Sequence, residues 1–323
     1  QVVLASGGFE GNSEMMTRYI GPRAVYLRPV CKGGYHNRGE GIQMALDIGA
    51  APCGEFGSYH AEPVDALDAE ETVALLLGVA GEQLAEPVDP RSGIAEPSIF
   101  IFPYGILVNK GGERFVDEAP GTVDAYYERV TRRIFEQRDG LAYTILDAKH
   151  MRIPNYRLGN LTDQRAIVAA SIAELDGRLV MPEQTFRQTV DAFNAACVPG
   201  NYRPLELDHV ATRGISPAKS HWALPLDQPP FHAYPVISSN VFTFGGLKID
   251  TDARVLDRDG HPIEGLYAAG EIVGRTVLLL RHHPGEHRQV LGRRQQRRPR
   301  QRADQQHQRA CRSLRLPLRR RLL

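Results

Sequence analysis

A short apolar run, Val2-Val3-Leu4, leads directly into the glycine-rich stretch Ala5-Ser6-Gly7-Gly8-Phe9-Glu10-Gly11-Asn12. Near the other end of the chain a second apolar run, Leu266-Tyr267-Ala268, leads into Ala269-Gly270-Glu271 in the same way. Both patterns predict a buried β-strand that ends on residues with little or no side chain, where the backbone can approach a bound cofactor. Such strand ends are typical of an α/β fold.

Further glycine motifs follow the first one in a definite order: Gly39-Glu40-Gly41, residues 112–118 (Gly-Glu-Arg-Phe-Val-Asp-Glu), 243–250 (Thr-Phe-Gly-Gly-Leu-Lys-Ile-Asp) and 265–271 (Gly-Leu-Tyr-Ala-Ala-Gly-Glu). A single glycine is more often a plain turn or strand end than a cofactor contact. Together, and in this order, the motifs resemble the fumarate reductase/succinate dehydrogenase flavoprotein family. The similarity covers roughly residues 2–274.

The resemblance implies an α/β protein in which a Rossmann-like FAD-binding domain is interrupted by an inserted α+β capping domain. Residues 1–97 and 236–274 are the expected FAD-binding pieces, and residues 98–235 are the expected capping or substrate domain. In the family a Gly-x-Gly-x-x-Gly strand that holds the FAD pyrophosphate precedes the first motif, whereas this sequence begins at Gln1. We therefore expect an incomplete FAD-binding domain that retains FAD weakly.

By position in the family, the cofactor implied is FAD, and the motif residues are its expected ligands. Four of them, Ala5, Ser6, Gly7 and Gly8, are expected along the adenosine side. Gly245 and Gly246 are expected against the flavin ring, and Glu271 beside the ribityl or ribose hydroxyls. Gly41 and Gly270 complete the expected cofactor-binding set, and no metal ligand is expected.

The expected catalytic residues are His60, Asp124, Tyr126 and Arg129. His60 stands where the family has a histidine on the flavin side. Asp124, Tyr126 and the neighbouring Tyr127 are candidates for proton transfer, and Arg129 for binding a carboxylate. Each has a structural alternative, because Asp124 could cap a helix, Tyr126 and Arg129 could face solvent or core, and a lone histidine is often structural.

Two positions depart from the members of the family that reduce fumarate. The proton-delivering arginine of those enzymes is replaced by Thr122, and their substrate-binding histidine by Phe242. The amino-acid sequence of the motifs resembles instead that of the members that oxidise tricarballylate to cis-aconitate. This implies an FAD-dependent dehydrogenase that oxidises a polycarboxylate by hydride transfer to flavin N5, with a partner protein or a quinone-linked acceptor taking the electrons. A flavoprotein of the precorrin-3B synthase type and a truncated, non-catalytic remnant remain as alternatives.

Composition excludes several other classes of protein. The 323 residues are 42% hydrophobic, which is enough for a packed core. The four cysteines show no C-x-x-C spacing, so neither a zinc site nor a disulfide framework is expected. No apolar run approaches the roughly 20 residues of a membrane span, and a cytoplasmic location is the default expectation.

Residues 275–323 differ in composition from the rest of the chain. They contain fifteen arginines, no lysine and two acidic residues, a formal charge of +13 in a chain whose net charge is +1. This composition predicts a disordered or frameshifted tail. The alternative is a basic arm that binds nucleic acid or an anionic membrane, but the segment lacks the lysines and aromatic residues usual in such arms, so no nucleic-acid partner is expected.

Hydrophobic periodicity predicts the secondary structure between the motifs. Helices are expected at residues 13–19, 41–48 and 125–137 and from Pro182 onward, where Phe186, Val190 and Phe193 share one face. Extended segments are expected at 53–60, 141–146, 236–249, 255–257 and 266–269, and a β-hairpin at 104–118. Residues 62–97 are expected to be irregular, with a helical patch at 71–77.

Overall fold

A computed structural model of the chain describes residues 1–66, 100–154, 166–179, 181, 182 and 184–274. These residues belong to one compact unit, Gln1–Val277. The helical patch expected at 71–77 and the arginine-rich segment after residue 274 lie outside the described residues. No helix in the described ranges is long and apolar enough to cross a membrane.

The two motifs that opened the sequence analysis meet in a three-stranded sheet. Its strands are β1 (Val2–Leu4), β8 (Arg254–Leu256) and β9 (Pro262–Ala268), in the order β1-β9-β8. β1 runs parallel to β9, with Val2 opposite Leu266 and Leu4 opposite Ala268. The glycine-containing ends of both strands therefore lie at the same edge of the sheet.

A larger sheet is organised around one long strand, β7 (Phe231–Leu247). β2 (Arg28–Pro29) pairs with it in parallel, and β3 (Pro52–Asp65), β5 (Leu141–Leu146) and β6 (Ile167–Ala169) pair with it antiparallel. β4 (Ile106–Asn109) completes the sheet by pairing with β5. The first half of β7 thus pairs with β5 and β6 of the expected capping domain, and Gly245 and Gly246 lie in its second half.

Short helices flank these strands. The side chain of Asn12 caps α1 (Ser13–Ile20) by accepting from the backbone N–H groups of Glu14 and Met15. Gly39, at φ 78°, precedes α2 (Glu40–Asp47), and the chain turns away at Gly49, at φ 97°. The other α-helices of the described residues are α3 (Val123–Phe135), α4 (Ile172–Arg178) and α5 (Thr185–Ala196).

The apolar faces of these elements form three clusters. Phe9, Ile42 and Leu247 lie in the cluster beneath the small sheet. The predicted face of α5, Phe186, Val190 and Phe193, packs with residues of β4, β5 and β7, as the helical spacing indicated. A third cluster joins residues of α3 to residues of β4, β5 and β7. Full burial of each large apolar side chain contributes about 1.5–3 kcal/mol, so these faces fix how the elements pack.

Three expectations were wrong. The strand Val2–Leu4 was expected to be buried, but Val2 and Val3 are exposed because β1 is an edge strand of the small sheet. The hairpin at 104–118 has only its first strand, because β4 pairs with β5, and Arg114 makes just an isolated bridge to Val108. The rest of that segment is irregular and is held by side chains instead: the Arg114 guanidinium donates to both carboxylate oxygens of Glu118. Residues 62–65, expected to be irregular, belong to β3, which continues antiparallel to β7 as far as Asp65.

Candidate functional site

A cavity of about 460 Å³ lies where the second half of β7 meets the first glycine motif. Its walls come from four parts of the chain: the first motif, β2 with the loop after it, β7, and the turn after β9. The lining residues are Glu10, Pro29, Val30, Cys31, Gly33, Gly34, Asn37, Asn240, Val241, Phe242 and Glu271. Of the residues that the sequence assigned to cofactor binding, Glu271 lines the cavity.

Glu271 is the best-anchored of the expected cofactor ligands. Its Oε1 accepts a 2.8 Å hydrogen bond from the backbone N–H of Thr243, and the Thr243 hydroxyl lies 3.4 Å away. That hydroxyl also accepts, at 3.3 Å, from the backbone N–H of Phe9. One short network therefore ties the ends of β1 and β9 to β7 and directs the Glu271 carboxylate toward the cavity.

Four of the expected glycines are required by close neighbours within the chain. A Cβ at Gly8 would lie 2.2 Å from Glu271 Oε1, and one at Gly41 would lie 2.2 Å from the Ser6 hydroxyl. At Gly245 a Cβ would lie 2.3 Å from the ring of Phe56. At Gly246 it would lie 2.2 Å from the carbonyl oxygen of Ile272. Packing of the chain against itself thus accounts for these glycines without any direct cofactor contact.

The remaining expected cofactor residues lie at the rim of this region. Ala5 and Ser6 are exposed, in the segment that leaves β1. Gly7 and Gly270 have φ angles of 78° and 83°, in the left-handed region that favours glycine. Gly270 is exposed and begins a one-turn 3-10 helix, Gly270–Ile272, that contains Glu271. Exposed backbone of this kind is available to a ligand.

The sequence analysis missed Glu10 as a site residue. Its side chain is only 6% exposed, and its Oε1 accepts a 2.5 Å hydrogen bond from the side-chain amide of Asn37. Its other oxygen, Oε2, meets no donor among the residues that the structure describes. Burial, followed by the nearby Glu271 carboxylate, raises the pKa of Glu10 to about 7. The sequence signal for Glu10 was its place in the first motif, which did not show that the residue is buried.

His60 lies in a cluster beside the cavity. One imidazole nitrogen, Nε2, is 2.8 Å from the Tyr127 hydroxyl, and Nδ1 is 3.4 Å from Glu128 Oε2. The ring stacks on Phe242 with centroids 4.9 Å apart, and Phe242 itself lines the cavity. Phe242, noted in the sequence as a replacement for a histidine, therefore contacts both His60 and the cavity.

Ion pairing holds this cluster in place. Arg132 donates to Glu128 Oε1 at 2.9 Å and also to the backbone carbonyl of Tyr59. Burial alone would raise the pKa of Glu128, but hydrogen bonds from His60 and Arg132 outweigh it and lower that pKa. Burial, together with the acidic residues nearby, raises the pKa of Tyr127 to about 12. Tyr127 is therefore a neutral hydroxyl beside His60 at physiological pH.

The three expected catalytic residues of α3 are placed differently. Asp124 and Arg129 are exposed. Asp124 lies in the first turn of the helix, whose N-cap is Thr122, so the expected alternative of a capping role for Asp124 is not realised. Tyr126 is half-buried, and its ring lies close enough to Gly121 to leave no room for a Cβ there. Tyr127 contacts His60, and Glu128, which the sequence analysis missed, lies one residue further along.

Comparison with known proteins agrees with this geometry. The model of the FAD binding domain family FAD_binding_2 matches residues 1–286. The chain belongs to that family. Its cofactor is FAD, as expected, and the expected α/β FAD-binding fold is confirmed. The resemblance to fumarate reductase-type flavoproteins is confirmed at the level of the family.

Several curated oxidoreductases are similar to this member of the family. NADH:acrylate oxidoreductase of Vibrio harveyi is 32% identical over 285 residues, which cover 84% of this chain and 24% of that protein. The 4-oxocyclohexanecarboxylate 2-dehydrogenase of Sinomonas cyclohexanicum is 28% identical over 295 residues, covering 83% and 45%. The chain thus spans about a quarter to a half of the length of these relatives.

Solved structures share the fold. A flavocytochrome c3 fumarate reductase in its open conformation matches with a TM-score of 0.55 and 24% identity over 85% of this chain and 41% of that chain. The 3-ketosteroid Δ1-dehydrogenase of Sterolibacterium denitrificans matches with a TM-score of 0.55 and 24% identity over 84% and 47%. The curated relatives are oxidoreductases by name, which is the class of protein that the sequence led us to expect.

The cavity has chemistry that suits FAD. Two buried oxygens that line it, Glu10 Oε2 and Asn240 Oδ1, have no hydrogen-bond partner among the described residues. Buried polar atoms of this kind are costly unless a ligand or water pairs with them. The ribityl and ribose parts of FAD carry hydroxyl groups, which can donate or accept hydrogen bonds and so can pair with these oxygens, and Glu271 offers a further carboxylate beside them.

Proposed function

We propose that this chain is the flavin-binding part of an FAD-dependent oxidoreductase that acts on a CH–CH bond of a small molecule. The observation that supports this most strongly is the cluster of His60, Tyr127 and Glu128 next to the wall of the cavity that Glu271 also lines. Bound FAD would supply hydride transfer, which the side chains cannot perform. Oxidation of a CH–CH bond releases one hydride and one proton, so a side chain of the protein must accept the proton.

The His60 cluster has the arrangement that proton transfer requires. With the Tyr127 hydroxyl donating to His60 Nε2, the Nδ1–H of the ring faces Glu128 Oε2 at 3.4 Å. As Tyr127 takes a proton from the substrate, its own proton passes to His60, and Glu128 stabilises the imidazolium that forms. A neutral tyrosine alone, with its pKa raised to about 12, is too weak a base at neutral pH.

The finer proposal is that the substrate is a polycarboxylate, oxidised as tricarballylate is to cis-aconitate, with a partner protein or a quinone-linked acceptor receiving the electrons. Thr122 and Phe242 support oxidation rather than fumarate reduction, because neither side chain can deliver a proton or bind a carboxylate ionically. The exposed guanidinium of Arg129, on the same helix as Tyr127, is the proposed carboxylate contact.

A substrate panel tests both proposals. The full chain, reconstituted with FAD, is assayed with an artificial electron acceptor against tricarballylate, succinate and a cyclic ketone, and in the reductive direction against fumarate. Turnover of tricarballylate, lost in His60→Ala and reduced in Arg129→Gln, supports the finer proposal. Turnover of the ketone alone would overturn the polycarboxylate assignment and leave the CH–CH activity standing. FAD binding without turnover of any substrate would contradict the proposed activity, and failure to bind FAD would favour a non-catalytic remnant.

A further inference from the structure

Two carboxyl groups face each other at the cavity, and the FAD-dependent function proposed above does not explain why both are there. Among the described residues that line the cavity, Glu10 and Glu271 are the two acidic ones, and none is an arginine, lysine or histidine. Their side chains come within hydrogen-bonding reach of each other. Two ionised carboxylates at this separation repel each other strongly in a buried site.

The donors around the pair are distributed unequally. Glu271 Oε1 accepts from the backbone N–H of Thr243, a donor that cannot move away. Glu10 Oε1 accepts from the Asn37 amide, while Glu10 Oε2 is buried and meets no donor. A proton on Glu10 Oε2 would supply the missing hydrogen bond, with the Glu271 carboxylate as its acceptor. The geometry therefore places the proton on Glu10 and the negative charge on Glu271.

The other described residues that line the cavity beside the pair are uncharged. From the loop after β2 come Asn37 and Cys31, and from β7 come Asn240 and Phe242. Asn240 donates its amide N–H to the sulfur of Met16 at 3.3 Å, which leaves its oxygen toward the cavity. Arg28, buried in β2, acts electrostatically on Tyr35.

We propose that Glu10 and Glu271 share one proton and that this singly protonated pair is the group that recognises a hydroxyl-bearing part of FAD. A hydroxyl group is at once a donor and an acceptor. The Glu271 carboxylate can accept its hydrogen, and the protonated Glu10 carboxyl can donate to its oxygen. When the shared proton is lost, the donor disappears and a second negative charge enters the site beside the first.

The consequence is a flavin affinity that depends on pH. Burial and Glu271 raise the pKa of Glu10 to about 7, so the pair carries its proton below that pH and loses it above. Affinity for FAD should be nearly constant in mild acid. It should then fall by up to about tenfold for each pH unit above the midpoint, since binding is linked to one proton.

A binding titration tests this on the full chain. The dissociation constant of FAD is measured by the change in flavin fluorescence at several pH values between mild acid and mild alkali. Glu10→Gln keeps a neutral donor at the position and should remove the pH dependence. Glu264→Gln is the matched control, because Glu264 is an exposed glutamate of β9 outside the cavity, and it should follow the wild-type curve. A pH-independent wild-type affinity, or an unchanged slope in Glu10→Gln, would overturn the proposal.

A second measurement separates this proposal from the proposed function, because it needs no FAD. Infrared difference spectra of the flavin-free protein should show the carbonyl stretch of a protonated carboxyl that titrates near neutral pH and disappears in Glu10→Gln. Asn37→Ala should move the midpoint upward, because the amide hydrogen bond lowers the pKa of Glu10. Absence of the band below pH 7 in the folded wild type refutes proton sharing, whether or not FAD binds. Presence of the band without FAD binding would support proton sharing. It would overturn both the recognition of FAD by the pair and the proposed function.

Discussion

Replacing Glu118 by glutamine should destabilise the protein severely, because Glu118 balances two buried cations. Its carboxylate accepts from Arg114 Nε at 2.9 Å and from Arg114 Nη2 at 2.6 Å, and the ammonium of Lys219 lies 3.8 Å away. The side chains of Arg114, Glu118 and Lys219 are 4%, 0% and 0% exposed. Glu118 Oε1 also accepts, at 3.0 Å, from the backbone N–H of Leu107 in β4.

The expected cost follows from these contacts. Removal of one partner of a buried ion pair costs about 3–5 kcal/mol, because the remaining charge stays buried without compensation. For a unit of this size each kcal/mol lowers Tm by roughly 2–4 °C, so Glu118→Gln should lower Tm by about 10 °C. The exposed pair of Arg133 and Glu136 provides the control, since Glu136→Gln should cost less than about 1 kcal/mol.

The measurement is urea unfolding followed by circular dichroism, at neutral pH and again in mild alkali. Burial lowers the pKa of Lys219 to about 8, and Glu118 opposes that shift, so the lysine in Glu118→Gln should lose its proton at a still lower pH. The variant's deficit in unfolding free energy should therefore shrink as pH rises and Lys219 becomes neutral. A deficit below about 1 kcal/mol at neutral pH would show that the Arg114 and Lys219 charges are compensated in another way, and the reasoning would fail.

Three further predictions concern the site. Gly8→Ala places a Cβ 2.2 Å from Glu271 Oε1, so the variant should displace the Glu271 carboxylate. Its affinity for FAD, measured by equilibrium dialysis, should be at least about tenfold weaker. An unchanged affinity would mean that Glu271 does not contact the cofactor. Tyr127→Phe removes the hydroxyl beside His60 and should lower kcat by about 10²-fold while altering its pH profile, and an unaltered rate would exclude the proton-transfer role. Because its pKa is raised to about 7, Glu10 keeps a proton in the folded state that the unfolded state loses from about pH 4.5 upward. The unfolding free energy should therefore fall by about 3 kcal/mol between pH 4.5 and 7 and then level off. Glu10→Gln should abolish that fall in urea titrations, and a wild-type slope in the variant would contradict the prediction.

Much of the fold could be predicted from local patterns. The strand β5 has the bounds that its apolar run predicted, and the apolar face of α5 packs as its helical spacing indicated. Residues 114–118 were misread because their alternation is typical of a strand. Their structure depends instead on Arg114 and Glu118 pairing four residues apart next to Lys219, which is more than a hundred positions away in the sequence, and no local pattern reports such a partner.

The site was predicted in outline and missed in detail. Family position directed attention to Glu271 and His60, and the structure places both beside one cavity or next to its wall. Glu10 and Glu128 were missed, since a glutamate in a glycine-rich turn or on a helix is usually solvated, and only the folded chain shows that Glu10 is buried. Whether these residues contact FAD and substrate as proposed stays a prediction for the experiments above.

The pairing of β1 with β9 has a consequence for how the protein is made. Val2 is opposite Leu266, so β1 leaves the ribosome roughly 260 positions before its partner β9, a delay of about 13–50 s at ordinary translation rates. During that interval the apolar β1 cannot pair with β9. Even in the folded unit Val2 and Val3 remain 56% and 64% exposed. We therefore expect chaperones that bind short apolar segments to engage β1 until β9 has been made.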